Sequence, residues 1–393
     1  MIECKFGGKD IWREWLVMSN WRNIKELINR KRFVIFGTGF FSELWYYRLL
    51  AIGFKPLYFT DNNSAIWEKE IVDGIICIPP KNIKDRADDI ICLVCVRKEL
   101  WNEINIQLEL YDLDYICMNE EITQEYEFIC DYFNTKLDLY SINDEPKRLM
   151  SKYTENSRIA VYTAIFGDYD NLIQPLEIDR RCDYYCISVN EPENLGVYKW
   201  IPFDSICVNK LESYTLKNRY CKFFPNKLFP QYDYSIYIDG NIKINSTLSH
   251  LVDQMGEQNF GLFEHPDCND LYVEAFRFSE QYFDIDFSNA IKKQVEEYAG
   301  LGFPFGFGFV ENSIIVRKHN EQESIQIMET WWDEYIKYKT RDQLSFMYSF
   351  WKCGLSKDDI VVLGKDWRKT REFSHIPHKY EHIRKHLSFD KNK

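Results

Sequence analysis

Residues 234–241 have the sequence YSIYIDGN, and this stretch decides how we interpret the second half of the chain. A half-aromatic apolar run from Tyr234 ends abruptly at Asp239, Gly240 and Asn241. In open α/β sheets, ligands bind beyond the carboxyl ends of the strands, which is where we expect this carboxylate to lie. Carboxylate and amide oxygens can hold a divalent cation there. Asp-Gly-Asn is also ordinary turn chemistry, so the motif alone leaves both interpretations open.

Further apolar runs on both sides of this stretch alternate with longer connections. Those in the second half are RIAVYTAIF from Arg158, DYYCISV from Asp183, NFGLFEH from Asn259, NSIIVRKH from Asn312 and DIVVL from Asp359. Those in the first half are FVIFG from Phe33, PLYFT from Pro56, IICI from Ile75, IICLVCV from Ile90 and DYICM from Asp114. Strands that alternate with helical patterns predict βα units and mostly parallel sheets, so the expected class is α/β in both halves.

A polar stretch with one proline, Asn143 to Ser157, separates the two series of strands. We place a domain boundary there, with a Rossmann-like parallel-sheet domain over residues 1–150 and a second α/β domain over residues 151–393. The segment just before the boundary, from about Asn119 to Ser141, is expected to be helical.

The first strand is followed by a glycine-rich turn. Gly37 and Gly39 stand in a G-x-G-x-x-S pattern that opens a helix from about Ser42, and Asp61 follows 22 positions after Gly39. This is the order in which dinucleotide-binding domains bring backbone amides to a phosphate and an acid to a ribose hydroxyl. The same turn also serves only to pack a helix on a strand. A nucleotide site and a plain scaffold therefore both remain open for this domain.

Composition bounds the possible partners. The 393 residues are 45% hydrophobic and 28% charged, as in folded water-soluble proteins. The formal net charge of −12 argues against a nucleic-acid partner held by a broad basic surface. The longest apolar run, Ile90 to Val96, is far shorter than the roughly 20 residues needed to cross a bilayer. The charged opening residues are unlike a signal peptide, so we expect a cytoplasmic protein, free or peripheral at the inner face of the membrane.

Several separated motifs together resemble a known family. They are YTAIFGDYDNL from Tyr162, CDYYCIS from Cys182, LKNRYCKFFPNKLFPQYDYSIYIDGN from Leu216, GFVENSIIVRKHN from Gly308 and RDQLSFMYS from Arg341. Their order resembles a glycosyltransferase family, long known as a domain of unknown function, found in plant cell-wall and mucilage proteins and in bacterial capsule-type loci. The resemblance covers roughly residues 158–380.

This resemblance implies a GT-A fold and transfer of a sugar from a nucleotide-sugar donor to a glycan or lipid-linked glycan acceptor. It also implies Mn²⁺ or Mg²⁺ as cofactor, and a place in surface or capsular polysaccharide synthesis, in association with other proteins of that process. One departure concerns the base: Val189 and Asn190 stand where many GT-A enzymes carry a uridine-contacting Asp.

Besides Asp239 and Gly240, we expect residues on two further elements to bind the nucleotide-sugar donor. Tyr162, Thr163 and Phe166 follow the first strand of the second domain, where a base can lie against aromatic carbon. Lys217, Arg219 and Lys222 lie on a probable helix, where positions 219 and 222 share a face and form a candidate diphosphate clamp. Plain core residues and a solvated helix face would have the same pattern.

Residues that line the active site are expected further along the chain. On the resemblance, His265 and Glu274 line the active site on the donor side, and Glu311 contacts the acceptor. Asp342 opens a helix and is the candidate catalytic base, although an acid there also serves as an N-terminal cap. The intervening stretch GLGFPFGFGF from Gly300 suits either a mobile aromatic loop or a packed turn.

Two histidines near the end of the chain complete the predicted metal site. His375 and His378 are expected to join Asp239 and Asn241 around the cation, although both histidines could also be surface residues. Two alternative functions remain. An NAD-dependent sugar-nucleotide oxidoreductase or epimerase would centre on the Gly37 turn, but no histidine precedes His250 to relay a proton. A non-catalytic nucleotide- or glycan-binding module would explain why Asn241 replaces a second acid.

Overall fold

The structure, a computed structural model, describes residues 20–86, 89–140, 157–167, 169–206, 211–281 and 285–378. The chain divides into two compact units, residues 1–137 and 138–393. The domain boundary that the sequence predicts at residue 150 lies outside the described residues. Both units combine helices with parallel-rich sheets, so the α/β class is confirmed.

The first unit has one six-stranded sheet. Its strands are β1 (Arg32–Phe36), β2 (Phe59–Thr60), β3 (Glu70–Val72), β4 (Ile75–Ile78), β5 (Ile90–Val94) and β6 (Asp114–Cys117). Its helices are α1 (Trp21–Arg30), α2 (Phe40–Ala51), α3 (Ile83–Arg86), α4 (Trp101–Leu110) and α5 (Tyr126–Tyr132). The strand order is β3-β4-β2-β1-β5-β6, in which β3 alone is antiparallel to its neighbour. The five parallel strands follow the order of doubly wound nucleotide-binding sheets.

The helical segment that we expected from about residue 119 to residue 141 is confirmed only in its first part, and residue 141 lies outside the described residues. A short 3-10 helix spans Glu120–Gln124, Glu125 is extended, and α5 then ends at Tyr132. Asn134 has a φ of +50°, in the left-handed region that ends helices. Local apolar spacing does not reveal these two breaks.

The second unit has a seven-stranded sheet. Its strands are β7 (Ile159–Ala164), β8 (Cys182–Ser188), β9 (Lys199–Pro202), β10 (Tyr234–Ile238), β12 (Phe260–Glu264), β13 (Val310–Arg317) and β14 (Ile360–Gly364). They lie in the order β14-β12-β13-β10-β7-β8-β9, and β13 runs antiparallel to both of its neighbours. A separate antiparallel pair joins β11 (Ile242–Ile244) to β15 (Phe373–His375).

Seven helices within the described residues surround these strands. They are α6 (Tyr214–Phe223), α7 (Pro225–Leu228), α8 (Ser249–Asp253), α9 (Leu271–Gln281), α10 (Ile285–Gly300), α11 (Gln322–Tyr338) and α12 (Gln343–Lys352). The helix predicted from RDQLSFMYS is α12, and the helix predicted to carry the basic residues is α6. No helix in the described residues has the length and apolarity to cross a bilayer.

Strand direction brings several functional candidates to one edge of the seven-stranded sheet. The backbone N–H of Asp239, which follows β10, donates to the carbonyl of Ser313 near the start of β13 (2.9 Å). The end of β12 meets the same part of β13, since Glu264 pairs with Val310. We call this edge, formed by the ends of β7, β10 and β12 and the start of β13, the site edge.

The Gly- and Phe-rich stretch from Gly300 is a packed turn. Phe303, Phe307 and Phe309 are buried, and Gly306 has a φ of +83°. Of the two alternatives that the sequence leaves open, the structure therefore has the packed turn and not an exposed aromatic loop.

Candidate functional site

Asp239 lies at the centre of the site edge. The Tyr237 hydroxyl donates to Asp239 Oδ1 at 2.7 Å, and Lys222 Nζ lies 4.0 Å from the same oxygen. The Asp239 side chain is 32% exposed, which leaves its carboxylate accessible to a ligand. A small cleft begins here, lined by Val161, Tyr162, Thr163, Leu172, Ile173, Tyr198, Ile238, Asp239, Gly240, Ile242 and Ile244.

Two basic residues of α6 meet Asp342 beside Asp239. Arg219 Nη2 lies 3.2 Å from Asp342 Oδ1, and Lys222 Nζ lies 2.8 Å from Asp342 Oδ2. The side chains of Lys222 and Asp342 are only 4% and 7% exposed. The i, i+3 spacing predicted for the clamp thus brings both cations to one carboxylate, at the amino end of α12.

Arg317 fixes the end of α6 from the core. Its Nη1 donates to the backbone carbonyl of Lys222 (2.7 Å), and its Nη2 donates to the Tyr162 hydroxyl (2.7 Å). Arg317 is fully buried in β13. Sequence analysis did not single it out, because a basic residue at the end of an apolar strand usually faces solvent.

The pKa of the Asp342 carboxyl is held well below its usual value. Burial acts to raise this pKa, but the charges of Arg219 and Lys222 outweigh it. A carboxylate with such a low pKa accepts a proton poorly near neutral pH. The catalytic role of Asp342 stays a prediction, and the structure favours its pairing with the two cations over proton abstraction.

The three candidates predicted to follow the first strand of this unit differ in their surroundings: Tyr162 and Thr163 lie within β7, and only Phe166 follows it. Tyr162 is fully buried and donates to the carbonyl of Cys221. Its side chain therefore offers no exposed group for the contact with a nucleotide base that we predicted. Phe166 is also largely buried, edge-on to Phe203 and stacked on Tyr214. Thr163 lines the cleft, and its hydroxyl oxygen is buried without a hydrogen-bond partner within the described residues.

Lys217, the third predicted cation, lies apart from Arg219 and Lys222. Its Nζ is 5.4 Å from the ring centroid of Phe203 and 5.7 Å from that of Tyr214. These are cation–π distances. The structure therefore divides the predicted clamp into an Arg219–Lys222 pair at Asp239 and a separate lysine on an aromatic surface.

Two of the predicted metal ligands, His375 and His378, converge on a third, Asn241. His375 Nε2 and His378 Nε2 each lie 3.2 Å from the Asn241 amide nitrogen. The pairing of β11 with β15 produces this, since Ile242 is the register partner of His375. A half-turn of the amide brings its oxygen to the same place, so Asn241 and the two imidazoles offer oxygen and nitrogen donors that fit a divalent cation. Asp239 lies two positions before Asn241 and stays a predicted fourth ligand.

A further carboxylate belongs to this group. Asp170 Oδ1 lies 2.8 Å from His378 Nδ1. Asp170 stands in the GDYDNL part of the motif that follows β7, but nothing local distinguishes it from its neighbours in that acidic stretch.

His265 and Glu274 form a buried cluster with Cys268. Potential metal-binding atoms of the three residues lie within 4.8 Å of one another. However, His265 Nδ1 faces the backbone N–H groups of Asp267 and Cys268 at 3.3 and 3.2 Å, so it acts as their acceptor. The other ring nitrogen then carries the proton and has no lone pair for a metal.

Glu274 is neutralised by arginines. Arg341 Nη1 lies 3.1 Å from its Oε1, and Arg277 Nη1 lies 3.4 Å from its Oε2. Burial lowers the pKa of His265, so the imidazole next to this carboxylate is neutral. The predicted contact of His265 and Glu274 with a donor stays a prediction. The ion pair between Glu274 and Arg341 connects α9 to the residue that directly precedes Asp342.

Glu311 lies on β13 with both oxygens engaged. Ser313 Oγ donates to Oε1 at 2.6 Å, and Arg368 Nη2 donates to Oε2 at 3.1 Å. Burial acts to raise the pKa of Glu311, but Ser313 and Arg368 bring it below its usual value. The predicted acceptor contact of Glu311 stays a prediction. Arg368, which sequence analysis missed, adds a cation to this part of the site edge.

The glycine turn of the first unit is tightly packed at Gly37. Its φ is +107°, and a β-carbon there would lie 2.9 Å from Val96 Cγ1. Gly39 is the N-cap of α2 and has open space around it. Thr38 Oγ1 donates to Asp61 Oδ2 (3.0 Å), so the acid contacts the turn. Packing accounts for Gly37, and nucleotide binding at Gly37, Gly39 and Asp61 stays a prediction.

Comparisons with known proteins place this site in a family context. A family model described as "TOD1/MUCI70, glycosyltransferase-like domain" matches residues 121–378. A search of curated proteins finds no match. Similar solved structures include the galactosyltransferase LgtC in complex with donor and acceptor sugar analogues, at 11% identity and a TM-score of 0.32 over 52% of this chain and 72% of that one. Mouse xyloside xylosyltransferase 1 is also similar, at 11% identity and a TM-score of 0.32 over 52% of this chain and 85% of that one.

Proposed function

The chain belongs to the TOD1/MUCI70 family of glycosyltransferase-like domains, and we propose that it transfers a sugar from a nucleotide-diphosphate donor to a glycan or glycan-precursor acceptor. The observation that supports this most is the meeting of Arg219, Lys222 and Asp239 at the site edge. Two cations beside an accessible carboxylate suit a ligand that carries a diphosphate, in a protein whose net charge is otherwise −12.

The two cations would stabilise the leaving nucleoside diphosphate. They are largely shielded from water, so their attraction for developing negative charge is stronger than at a solvated surface. Asp342 holds both in place before the donor arrives. Thr163 lines the cleft beside Asp239 and has a buried, unpartnered hydroxyl, so we assign it to the donor side of the site.

A divalent cation, when held by Asp239, Asn241, His375 and His378, would neutralise further charge on the diphosphate. Oxygen ligands alone suit Mg²⁺, whereas imidazole nitrogen suits a transition metal. Two imidazoles in the donor set therefore favour Mn²⁺ over Mg²⁺. In this proposal the domain is of GT-A type.

We assign Glu311 and Asp342 to positioning of the reactants more than to proton transfer. The Ser313 hydrogen bond and Arg368 lower the pKa of Glu311, and Arg219 and Lys222 lower that of Asp342. The acceptor is a glycan or its lipid-linked precursor in surface or capsular polysaccharide synthesis, in the cytoplasm or at the inner membrane face. Donor and acceptor held together account for much of the expected rate enhancement.

One observation favours a second candidate, a non-catalytic module that binds a nucleotide-sugar. Asn241 offers no charge where a second acid would bind the cation more strongly. The two candidates differ in turnover. The enzyme releases nucleoside diphosphate from its donor, whereas the module binds the donor and leaves it intact.

The test is a panel of nucleotide-sugars given to the whole chain with and without Mn²⁺. We expect one or a few donors to raise the melting temperature in Mn²⁺ and to release nucleoside diphosphate when acceptor is added. D239N should abolish both responses, while D333N, at an exposed aspartate on α11, should keep both. Full turnover by D239N, or no donor response from the wild type, would overturn the proposal. NAD(H) in the same panel tests the oxidoreductase alternative.

A further inference from the structure

We propose that Asp170 is a positioning residue of the cation site, which holds His378 so that its Nε2 faces Asn241. This inference rests on the cation site of the proposed function. It adds Asp170 to that site, as a residue that orients one of the ligands. It predicts that cation affinity depends on a carboxylate that does not itself bind the cation.

The hydrogen bond between the two side chains selects one form of the imidazole. Asp170 Oδ1 lies 2.8 Å from His378 Nδ1, and the side chains are 11% and 30% exposed. An ionised carboxylate can only accept a hydrogen bond, so the proton lies on Nδ1. In the neutral ring the lone pair is then on Nε2, the atom that lies 3.2 Å from the Asn241 amide.

Gly240 makes room for this carboxylate. A β-carbon at Gly240 would lie 3.2 Å from Asp170 Oδ2 and 3.1 Å from Ile165 Cγ1. A side chain there would displace Asp170 or Ile165. The central glycine of the Asp239–Asn241 turn therefore allows Asp170 to lie directly against the turn that carries two of the proposed ligands.

His378 needs such a partner more than His375 does. His375 belongs to β15 and is held by the ladder to β11, continued by a bond from the Ile376 N–H to the carbonyl of Asn241 (2.9 Å). His378 lies beyond that ladder, so side-chain contacts orient its ring. They include Asp170 and the ring of Tyr169, whose centroid is 4.6 Å away.

Carboxylate–histidine pairs of this kind fix the tautomer of a metal ligand and increase its basicity, and losing the carboxylate typically weakens metal binding by about 10–100-fold. Asp170 thus links the segment after β7, the Asp239–Asn241 turn and the segment after β15.

The experiment measures Mn²⁺ binding to the whole metal-free chain by isothermal titration calorimetry. We expect the Kd of D170A to rise by about 10–100-fold over wild type. D170N should show a smaller rise, because its amide oxygen can still accept from Nδ1–H but carries no charge. D333N is the matched control and should bind as the wild type does.

A second measurement reports the tautomer directly. In metal-free wild type, ¹⁵N NMR of the imidazoles should show His378, assigned by its loss in H378Q, with the proton on Nδ1. D170A should shift that ring toward the Nε2–H form, a change that a merely structural role would not produce. If D170A does not fold, D170N supplies both measurements.

The outcomes separate this inference from the proposed function. If the wild type binds Mn²⁺ and a folded D170A binds it equally well, the positioning role is overturned and the proposed function is not. Wild type that binds no Mn²⁺ would overturn the cation assignment and this inference with it, while donor binding without metal would still test the transferase proposal.

Discussion

Lys222 and Asp342 form an ion pair that is almost wholly shielded from water. Neither charge is solvated well enough to stand alone, so each depends on the other and on Arg219. Because of this dependence, we expect Asp342 to contribute to the stability of the site edge whatever its catalytic role.

Asp342→Ala should therefore destabilise the protein strongly. Removing one member of a buried pair leaves an uncompensated charge, and we expect the free energy of unfolding to fall by about 3–5 kcal/mol. Urea denaturation followed by circular dichroism measures this, with D333N as control. A loss below about 1 kcal/mol, the range of exposed pairs, would contradict a buried pair.

His319 should make the second unit sensitive to mild acid. Burial lowers its pKa from 6.5 to about 4, and its Nε2 lies 2.9 Å from the carbonyl of Phe229. The unfolded chain binds the proton more readily, so this contribution to stability is complete above pH 6.5 and is lost as pH falls toward 4. Between pH 7 and pH 5 the loss should be about 2 kcal/mol.

The measurement is the difference in unfolding free energy between pH 7 and pH 5 for wild type and for H319Q. Gln offers an N–H near the position of Nε2 but does not titrate. The pH-dependent difference should shrink by about 2 kcal/mol in H319Q, and an unchanged difference would exclude His319 as its source.

At the scale of elements, short-range patterns predict much of the fold. The apolar runs at β5, β7 and β10 and the start of α12 at Asp342 follow from residues close in sequence. The convergence of Asn241 with His375 is also predicted, but from the ligand chemistry of imidazole and not from a local pattern. Asp170 and Arg368 are not predicted, because long-range packing brings them to the site, and the Asp170–His378 bond joins residues 208 positions apart.

The turn between β1 and α2 allows a matched test of two glycines. Gly37 has a φ of +107° and no room for a β-carbon, whereas Gly39 has neither constraint. We expect G37A to destabilise the first unit by about 1–3 kcal/mol and G39A to change its stability by less than about 1 kcal/mol. Urea denaturation of both variants checks this, and equal losses would contradict the packing argument.

At the scale of the whole molecule, two units with separate cores should unfold in two steps. Each unit has its own sheet and its own buried cluster, Ile159 to Phe373 in the second and Val34 to Tyr115 in the first. Two-state unfolding is a property of single domains, so scanning calorimetry should resolve more than one transition.

Ligands and variants should then act on separate transitions. A nucleotide-sugar with Mn²⁺ stabilises only the unit that binds it, by an amount set by concentration over Kd. We expect it to raise the transition of the second unit and G37A to lower that of the first. A single transition that moves under both changes would show that the units unfold together.

The place of β13 in the sheet, between two strands that precede it in the chain, has a consequence during synthesis on the ribosome. β10 leaves one side unpaired until β13 arrives, and β12 has no neighbour in the sheet before β13 and β14. Both are apolar strands whose open sides can pair with other chains. Some fifty or more residues must therefore emerge after β12 before it is covered, and a nascent chain at that stage is the form most exposed to aggregation and most in need of a chaperone.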